Sequence, residues 1–409
     1  VPSSIHLFAL LISAAFGAFA SNTIHAADTK VVRVKNVDEL RAAVRAAKPD
    51  TRIEVAEGEY AGGLFLENLT GETGKPVVIA GANPAKPPHF SGGGNGIQLV
   101  NPAFVELHHL HFSGATGNGV SIDDGGKFSA AARDIVLRGL RISDIGPRGN
   151  HDAIKLSGIT GFQVEDCVIE RWGTGSGSGI DMVGCHNGLI ARNVFRHSAA
   201  QGETGGNGVQ AKGGSSGIII RQNRFEHAGQ RAVNIGGSTG VPYFRPPLDQ
   251  WPKGAGFHEA KNIVVEGNTL FGSLAPLAFV GVDGATVRFN TIYRPGKWCL
   301  RILQETNAPG FVPCRGGVIT DNIIAFQSGA WAEGGVNIGP NTAPESFRFA
   351  RNHWFCLDRP DRSRPRLPAA EDGGSYGVDP QFENATALDL RIKVASPARG
   401  KGADGLRTQ

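Results

Sequence analysis

Residues 207–237, NGVQAKGGSSGIIIRQNRFEHAGQRAVNIGG, contain three short apolar segments separated by polar turns. In the first, Val209 and Ala211 alternate with Gln210 and Lys212, and in the last, Val233 and Ile235 alternate with Asn234. Successive side chains of a strand point to opposite faces, so this alternation is that of β-structure with one face buried. Between them, Ile218 and Ile220 lead to Asn223, which stands two residues before Phe225. The stretch therefore spells strand, glycine turn, strand, bend and strand within about one repeat.

The same pattern recurs along the chain. One set of segments is a strand followed by a polar or glycine turn: GIQLVN, GVSIDD, DAIKLSG, GIDMVGC, GVQAKGG, AVNIGGS, PLAFVG, CLRILQ and GVNIGP. The other carries Asn before an apolar position, as in IARNVF, VVEGNTL, VRFNTI, ITDNII and FARNHW. The slot runs Leu110, Leu140, Cys167, Asn193, Asn223, Asn268, Asn290, Asn322 and Asn352, in steps of 30, 27, 26, 30, 45, 22, 32 and 30 residues. Steps of this size with strand–turn content denote one solenoid coil per repeat, each burying its apolar face against its neighbours. An asparagine stacked at one bend and bonding to the next coil explains the internal recurrence. The step of 45 marks an insertion at residues 237–260, with Tyr243, Phe244, Arg245, Trp251 and His258.

The ends read differently. Residues 1–27 form an apolar leader, running from Leu7 to Ala20 and closing on Ala18-Phe19-Ala20, with a second small-residue cut near Ala27. This pattern is a secretory signal and predicts a secreted or periplasmic protein. The run is short for a bilayer span, so no membrane partner is expected. Residues 28–60 carry an amphipathic helix, NVDELRAAVRAAK, with Asn36 as N-cap, Glu39 three residues on and an apolar stripe of Leu40, Ala43, Val44 and Ala47. Such a helix would cap the open edge of the first coil. Coils then occupy about residues 61–356, and the tail 357–409 opens with an exposed loop, DRPDRSRPRLPAAEDGG.

Composition agrees with a β-rich chain: 409 residues with 58 glycines and 1 methionine. A net charge of +4 suits an acidic ligand, although many basic proteins bind nothing anionic. Five cysteines leave at least one unpaired, Cys299 and Cys314 being able to close a loop, and none has zinc-ligand spacing with histidine. The glycines of GTGSGSG lack a following helix to receive phosphate, and no nucleic-acid partner is expected.

TRIEVAEGEYAGGLFLENLTGETGKPVVIAG and DPQF…LDLRIKVASPARGKGADG resemble the opening and closing segments of right-handed parallel β-helix proteins of the pectate-lyase-like superfamily. The resemblance implies an all-β fold: a single-stranded right-handed parallel β-helix with an N-terminal capping helix, acting as a monomer. This scaffold hosts lyases, hydrolases, epimerases and non-catalytic adhesins.

Strand alternation places candidate residues on one outward face. One column reads Ser121, Lys155, Asp181, Gln210 and Asn234, and its neighbour includes Asp123, Ser157, Val183 and Lys212. Asp152, His151, Asn207 and Arg231 lie beside them, with Arg301 the one charge in later coils. Outward positions of any soluble sheet are polar, yet here the charge gathers in the central coils. Such a cluster suits β-elimination on an acidic, uronate-containing polysaccharide, in which a lysine or arginine removes the C5 proton once the carboxylate is neutralised. Lys212 is then the candidate base, Arg231 its partner and Lys155 a second catalytic candidate. Asp181, Gln210, Asn234, His151, Tyr243, Trp251 and Arg301 are candidate substrate contacts.

Residues 207–237 also resemble coils of the chondroitinase-B and alginate-lyase family, with a strand ending in Lys. That family, however, sets its basic partner later in the next strand, where this chain has Asn234 and Ile235. A second resemblance, to pectate lyases that bind Ca²⁺ on successive coils, implies Asp152 and Asp181 as metal ligands with Lys212 or Lys155 as base, while Asn207 stands near where the first family keeps its metal ligands. Alternatives remain: a hydrolase using paired carboxylates (Asp123–Asp124, or Asp152 with Asp181), a C5-epimerase, or a glycan-binding adhesin. Asp-Asp-Gly-Gly also reads as a turn.

Overall fold

The computed structural model describes residues 30–127, 130–200 and 203–406. The leader expected at residues 1–27 lies outside the described residues. Three long sheets of 13, 12 and 10 strands run the length of the chain, ten consecutive coils contributing one strand to each. All pairs along these sheets are parallel, for example Ser178–Val183 beside Asn207–Lys212 and Arg231–Gly236. A short antiparallel pair, Phe382–Asn384 with Asp389–Ile392, closes the C-terminal end.

The interior is the alternation made solid. Ile154, Leu156, Ile180, Met182, Val209, Val233 and Ile235 are wholly buried. Phe195 and Phe225 stack with centroids 4.7 Å apart, one coil on the next. Beside them runs the asparagine ladder. In each of Asn193, Asn223, Asn268, Asn290 and Asn322, the backbone N–H and the side-chain amide both donate to Oδ1 of the next ladder asparagine, at 2.9–3.0 Å. The amide also donates back to a carbonyl of the preceding coil, as Asn268 does to Ile220. The amide groups of these buried asparagines are thus satisfied, which burial demands.

The ladder does not end at Asn352. Its N–H and amide donate to Glu371, and Glu371–Asp372 and Ser375–Tyr376 pair with the strands of the preceding coil. The coil pairing therefore runs beyond residue 356 into the segment expected to be only loop. It also starts earlier than residue 61, since Thr51–Val55 already pairs within the first sheet. Polar sequence hid the last coil because a carboxylate replaces the ladder asparagine.

The capping helix spans Val37–Ala46, with Asn36 accepting from the Glu39 N–H. Leu40 and Ala43 are buried against the first coil, as the stripe predicted. All five cysteines are free and buried, so Cys299 and Cys314 form no bridge. No helix among the described residues is long and apolar enough to cross a membrane.

Candidate functional site

The outward columns stand as the alternation predicts. Ser121, Lys155, Asp181, Gln210 and Asn234 are direct register partners on successive strands. Asp123, Ser157, Val183 and Lys212 form the neighbouring column. The first column continues through Ala278 and Arg301 to Asn337.

At its centre is a charge cluster. Asp181 is wholly buried although its strand position faces outward, because two lysines close over it. Lys155 Nζ donates to Asp181 Oδ2 and lies 3.5 Å from Asp152 Oδ2. Lys212 Nζ lies 3.2 Å from Asp181 Oδ1, but that oxygen receives no aligned hydrogen bond. Lys212 instead donates to Gln210 Oε1 at 3.3 Å, an oxygen that also accepts from the Asn207 amide. Asp152, 1% exposed, accepts from the Ser178 N–H at 2.8 Å. Burial and the charge of Asp181 push its pKa up to about 7. Burial alone would lower the Lys155 pKa, but the carboxylates of Asp181 and Asp152 outweigh it and raise it.

Lys212 is held at its backbone too. Its carbonyl accepts from Ser215 Oγ at 2.7 Å and from the Gly184 N–H at 2.9 Å. The following turn is fixed by Glu259, a wholly buried carboxylate accepting from the Gly213 N–H, the Thr239 N–H and the hydroxyls of Thr239 and Thr306. Glu259 ties three distant segments to the candidate base, and strand alternation gave no sign of it.

The insertion folds over the turns that follow these strands. Arg245 forms a two-pronged pair with buried Asp124, Nε to Oδ2 at 2.6 Å and Nη2 to Oδ1 at 3.1 Å. The fit requires glycine below: at Gly184, φ 58°, a β-carbon would collide with the Arg245 side chain. Asp123 accepts from the Gly125 N–H and Asp124 from the Gly126 N–H, so the Asp-Asp pair builds a turn.

The remaining candidates are placed apart from the cluster or beside it. Arg231 lies one rung on, donating to Asn234 Oδ1 at 3.2 Å and to Glu305 at 2.9 Å. Arg301 lies two rungs beyond that. Tyr243 is exposed on the insertion, and the Trp251 indole donates to the Pro246 carbonyl and packs against Phe257 and His258. His151 sits against the glycine turn at Gly146. His186 bonds Ser216 and the Arg245 carbonyl, joining coil to insertion.

Calcium does not fit the residues expected to hold it. The ion takes about six to eight oxygen ligands. Asp152 and Asp181 are the two carboxylates here, and the Lys155 ammonium already stands between them. The Asn207 amide is directed at Ser178 and Gln210. Among the described residues no group of three or more His, Cys, Asp or Glu could hold a metal.

Comparison with known proteins now adds to this geometry. A family profile described as right handed beta helix region matches residues 95–245. The chain is a right-handed parallel β-helix protein. The pectate lyase Pel9A is similar with a TM-score of 0.54 and 14% identity, over 91% of each chain. The GH136 lacto-N-biosidase from Eubacterium ramulus is similar with a TM-score of 0.53 and 14% identity, over 85% of this chain and 68% of that one. An alginate lyase from Paenibacillus sp. str. FPU-7 gives 0.49 and 17% identity, over 77% and 97%. A search of curated proteins returned no match to the sequence. At these identities the likeness concerns the β-helix itself.

Proposed function

We propose that this β-helix is a polysaccharide lyase acting on a uronate-containing glycan, with Lys212 as base. One observation carries the reading: Lys155 and Lys212, from strands two rungs apart, converge on the single buried carboxylate of Asp181 between them. Burial and the charge of Asp181 raise the Asp152 pKa to about 7, so Asp181 is the carboxylate that both ammonium groups share. Lys212 is the lysine placed to act as base, because its contact with Asp181 is unaligned whereas that of Lys155 is hydrogen-bonded.

The elimination then balances as follows. The C5–H bond breaks with its proton passing to Lys212 Nζ, and its electrons form the C4=C5 double bond. The C4–O bond breaks with its pair going to the leaving oxygen, which takes a proton from solvent or from a neighbouring ammonium. Arg231, one rung along, receives the sugar carboxylate and so lowers the cost of the developing carbanion. A pectate lyase shares the fold, so the scaffold suits this chemistry. A polymeric substrate does not enter a cell unaided, so this reading goes with an exported protein, as does the apolar run Leu7 to Ala20.

The hydrolase alternative loses its carboxylates. Asp152 and Asp181 are 1% and 0% exposed beneath Lys155, and Asp123 and Asp124 are committed to a turn and to Arg245. Paired carboxylates that cleave glycosides must instead flank the scissile bond.

The test is incubation with polygalacturonate, alginate and glycosaminoglycans, followed by ultraviolet absorbance of the C4=C5 double bond. Rising absorbance is expected with at least one polymer. New reducing ends without it would identify a hydrolase, and binding without turnover an adhesin; either result rejects the lyase.

A further inference from the structure

The groove face carries four cations on or beside the two columns: Lys155, Lys212, Arg231 and Arg301. The first three have carboxylate partners in Asp152, Asp181 and Glu305. Arg301 has none among the described residues. It is nevertheless held in place, its Nε donating to Asn337 Oδ1 at 2.8 Å and its guanidinium lying 4.9 Å from the Trp298 ring centroid. Stacking and one hydrogen bond fix the plane and leave the terminal NH₂ groups, which match a carboxylate in fork geometry, unclaimed. Burial, and then the charge of Arg231, hold the guanidinium below its ordinary range. Two carboxylates act on it without forming an ion pair: Glu305, and Glu333, which accepts from the Asn337 amide at 2.9 Å.

Its surroundings indicate which ligand fits. Arg231 bonds Asn234, and between Asn234 and Arg301 the column carries only the small, buried Ala278. Glu305 bonds Arg231 at 2.9 Å, and its charge also acts on Arg301. The Glu305 carboxylate thus shows the kind of group the arginine pair attracts.

We infer that Arg301, backed by Trp298 and Asn337 and facing Arg231 across Ala278, anchors a subsite for the carboxylate of an acidic sugar residue. The subsite lies about 14 Å from the Lys212 strand, three rungs at ~4.8 Å each, so it grips a sugar other than the one being cleaved. The charge of Glu305, which acts on Arg301 as well as bonding Arg231, limits the affinity of the site. The inference rests on the reading of the groove as a binder of acidic glycans.

Binding is measured separately from cleavage, by affinity electrophoresis of the full chain in gels containing alginate or polygalacturonate, and in gels with the carboxyl-reduced polymers. At least one acidic polymer should retard the wild type while its reduced form does not. Arg301→Met should weaken retardation roughly tenfold to a hundredfold, the range for loss of a charged hydrogen-bonded contact. Glu305→Gln should strengthen it, a gain that misfolding cannot mimic. Absence of retardation in the wild type, or variants that both migrate as the wild type does, would overturn the inference. Retardation that depends on Arg301 without cleavage would keep the subsite and reject the lyase; cleavage indifferent to Arg301 would do the reverse.

Discussion

Replacing Asp152 by asparagine should remove a large pH dependence from the stability of the fold. The Asp152 side chain is 2% exposed, and burial with the charge of Asp181 raises its pKa from 3.8 to about 7. In the unfolded chain the carboxyl ionises near its ordinary value, so between these two values the folded protein binds the extra proton. Stability from this group is therefore fully present below about pH 4 and is lost as the pH rises through about 7. A tenfold change in proton affinity is about 1.4 kcal/mol, which makes the whole loss about 4 kcal/mol. Asparagine keeps an oxygen for the Ser178 N–H, which Asp152 accepts at 2.8 Å, and has no proton to titrate. Urea unfolding of both proteins, followed by far-ultraviolet circular dichroism near pH 4 and near pH 8, measures the effect of Asp152 together with the Lys155 ammonium it acts on. The wild type should lose about 4 kcal/mol relative to the variant across that range. A difference that stays within about 1 kcal/mol would refute the protonated, buried Asp152.

Three further outcomes are expected. Asn268→Ala strands the Asn223 N–H and the Ile220 carbonyl, both bonded to the Asn268 side chain, and should cost about 4 kcal/mol in urea unfolding; a cost under about 1 kcal/mol would contradict the ladder. Arg245→Ala leaves Asp124 buried without its two-pronged partner and should speed proteolytic cutting within residues 237–260 about tenfold or more; unchanged cutting would mean that the insertion is held by other contacts. A thiol reagent should find no reactive cysteine in the native protein and five after unfolding without reductant, because all five are free, buried and raised in pKa. Three after unfolding would restore the Cys299–Cys314 bridge.

The coil was readable because its two periodicities are local. Alternation of Val209 and Ala211 with Gln210 and Lys212 fixes the face, and the recurrence of Asn193 to Asn352 fixes the bend. Facing outward, however, is not the same as being exposed. Asp181 was expected to meet substrate and is instead sealed, because lysines on the flanking rungs are long enough to close over it. The expected calcium ligands are a poor fit for the same reason: an ammonium stands between the carboxylates, and register alone does not say where a lysine bends.

Glu259, Glu305 and Glu371 were all missed. Each sits beside or beyond the regular strands and finds partners far away in sequence, Glu259 reaching Gly213, Thr239 and Thr306. Only Glu371 left a trace, standing 19 residues after Asn352, where a ladder acceptor was still owed. Of the two insertion aromatics expected to meet substrate, Tyr243 is exposed, whereas Trp251 braces the insertion through the Pro246 carbonyl. Aromatics in an insertion as often fold it as face a ligand.

The central claim is that Lys212 removes a proton so that a glycosidic C–O bond breaks by elimination. Mass spectrometry of the products from whichever polyuronate is bound, with wild type and Lys212→Ala side by side, tests it most directly. The account predicts wild-type fragments lighter by one water than hydrolysis products, and no fragments from a Lys212→Ala variant whose circular dichroism is unchanged. Fragments of full hydrolysis mass, or lighter fragments still formed by the variant at the wild-type rate, would contradict it.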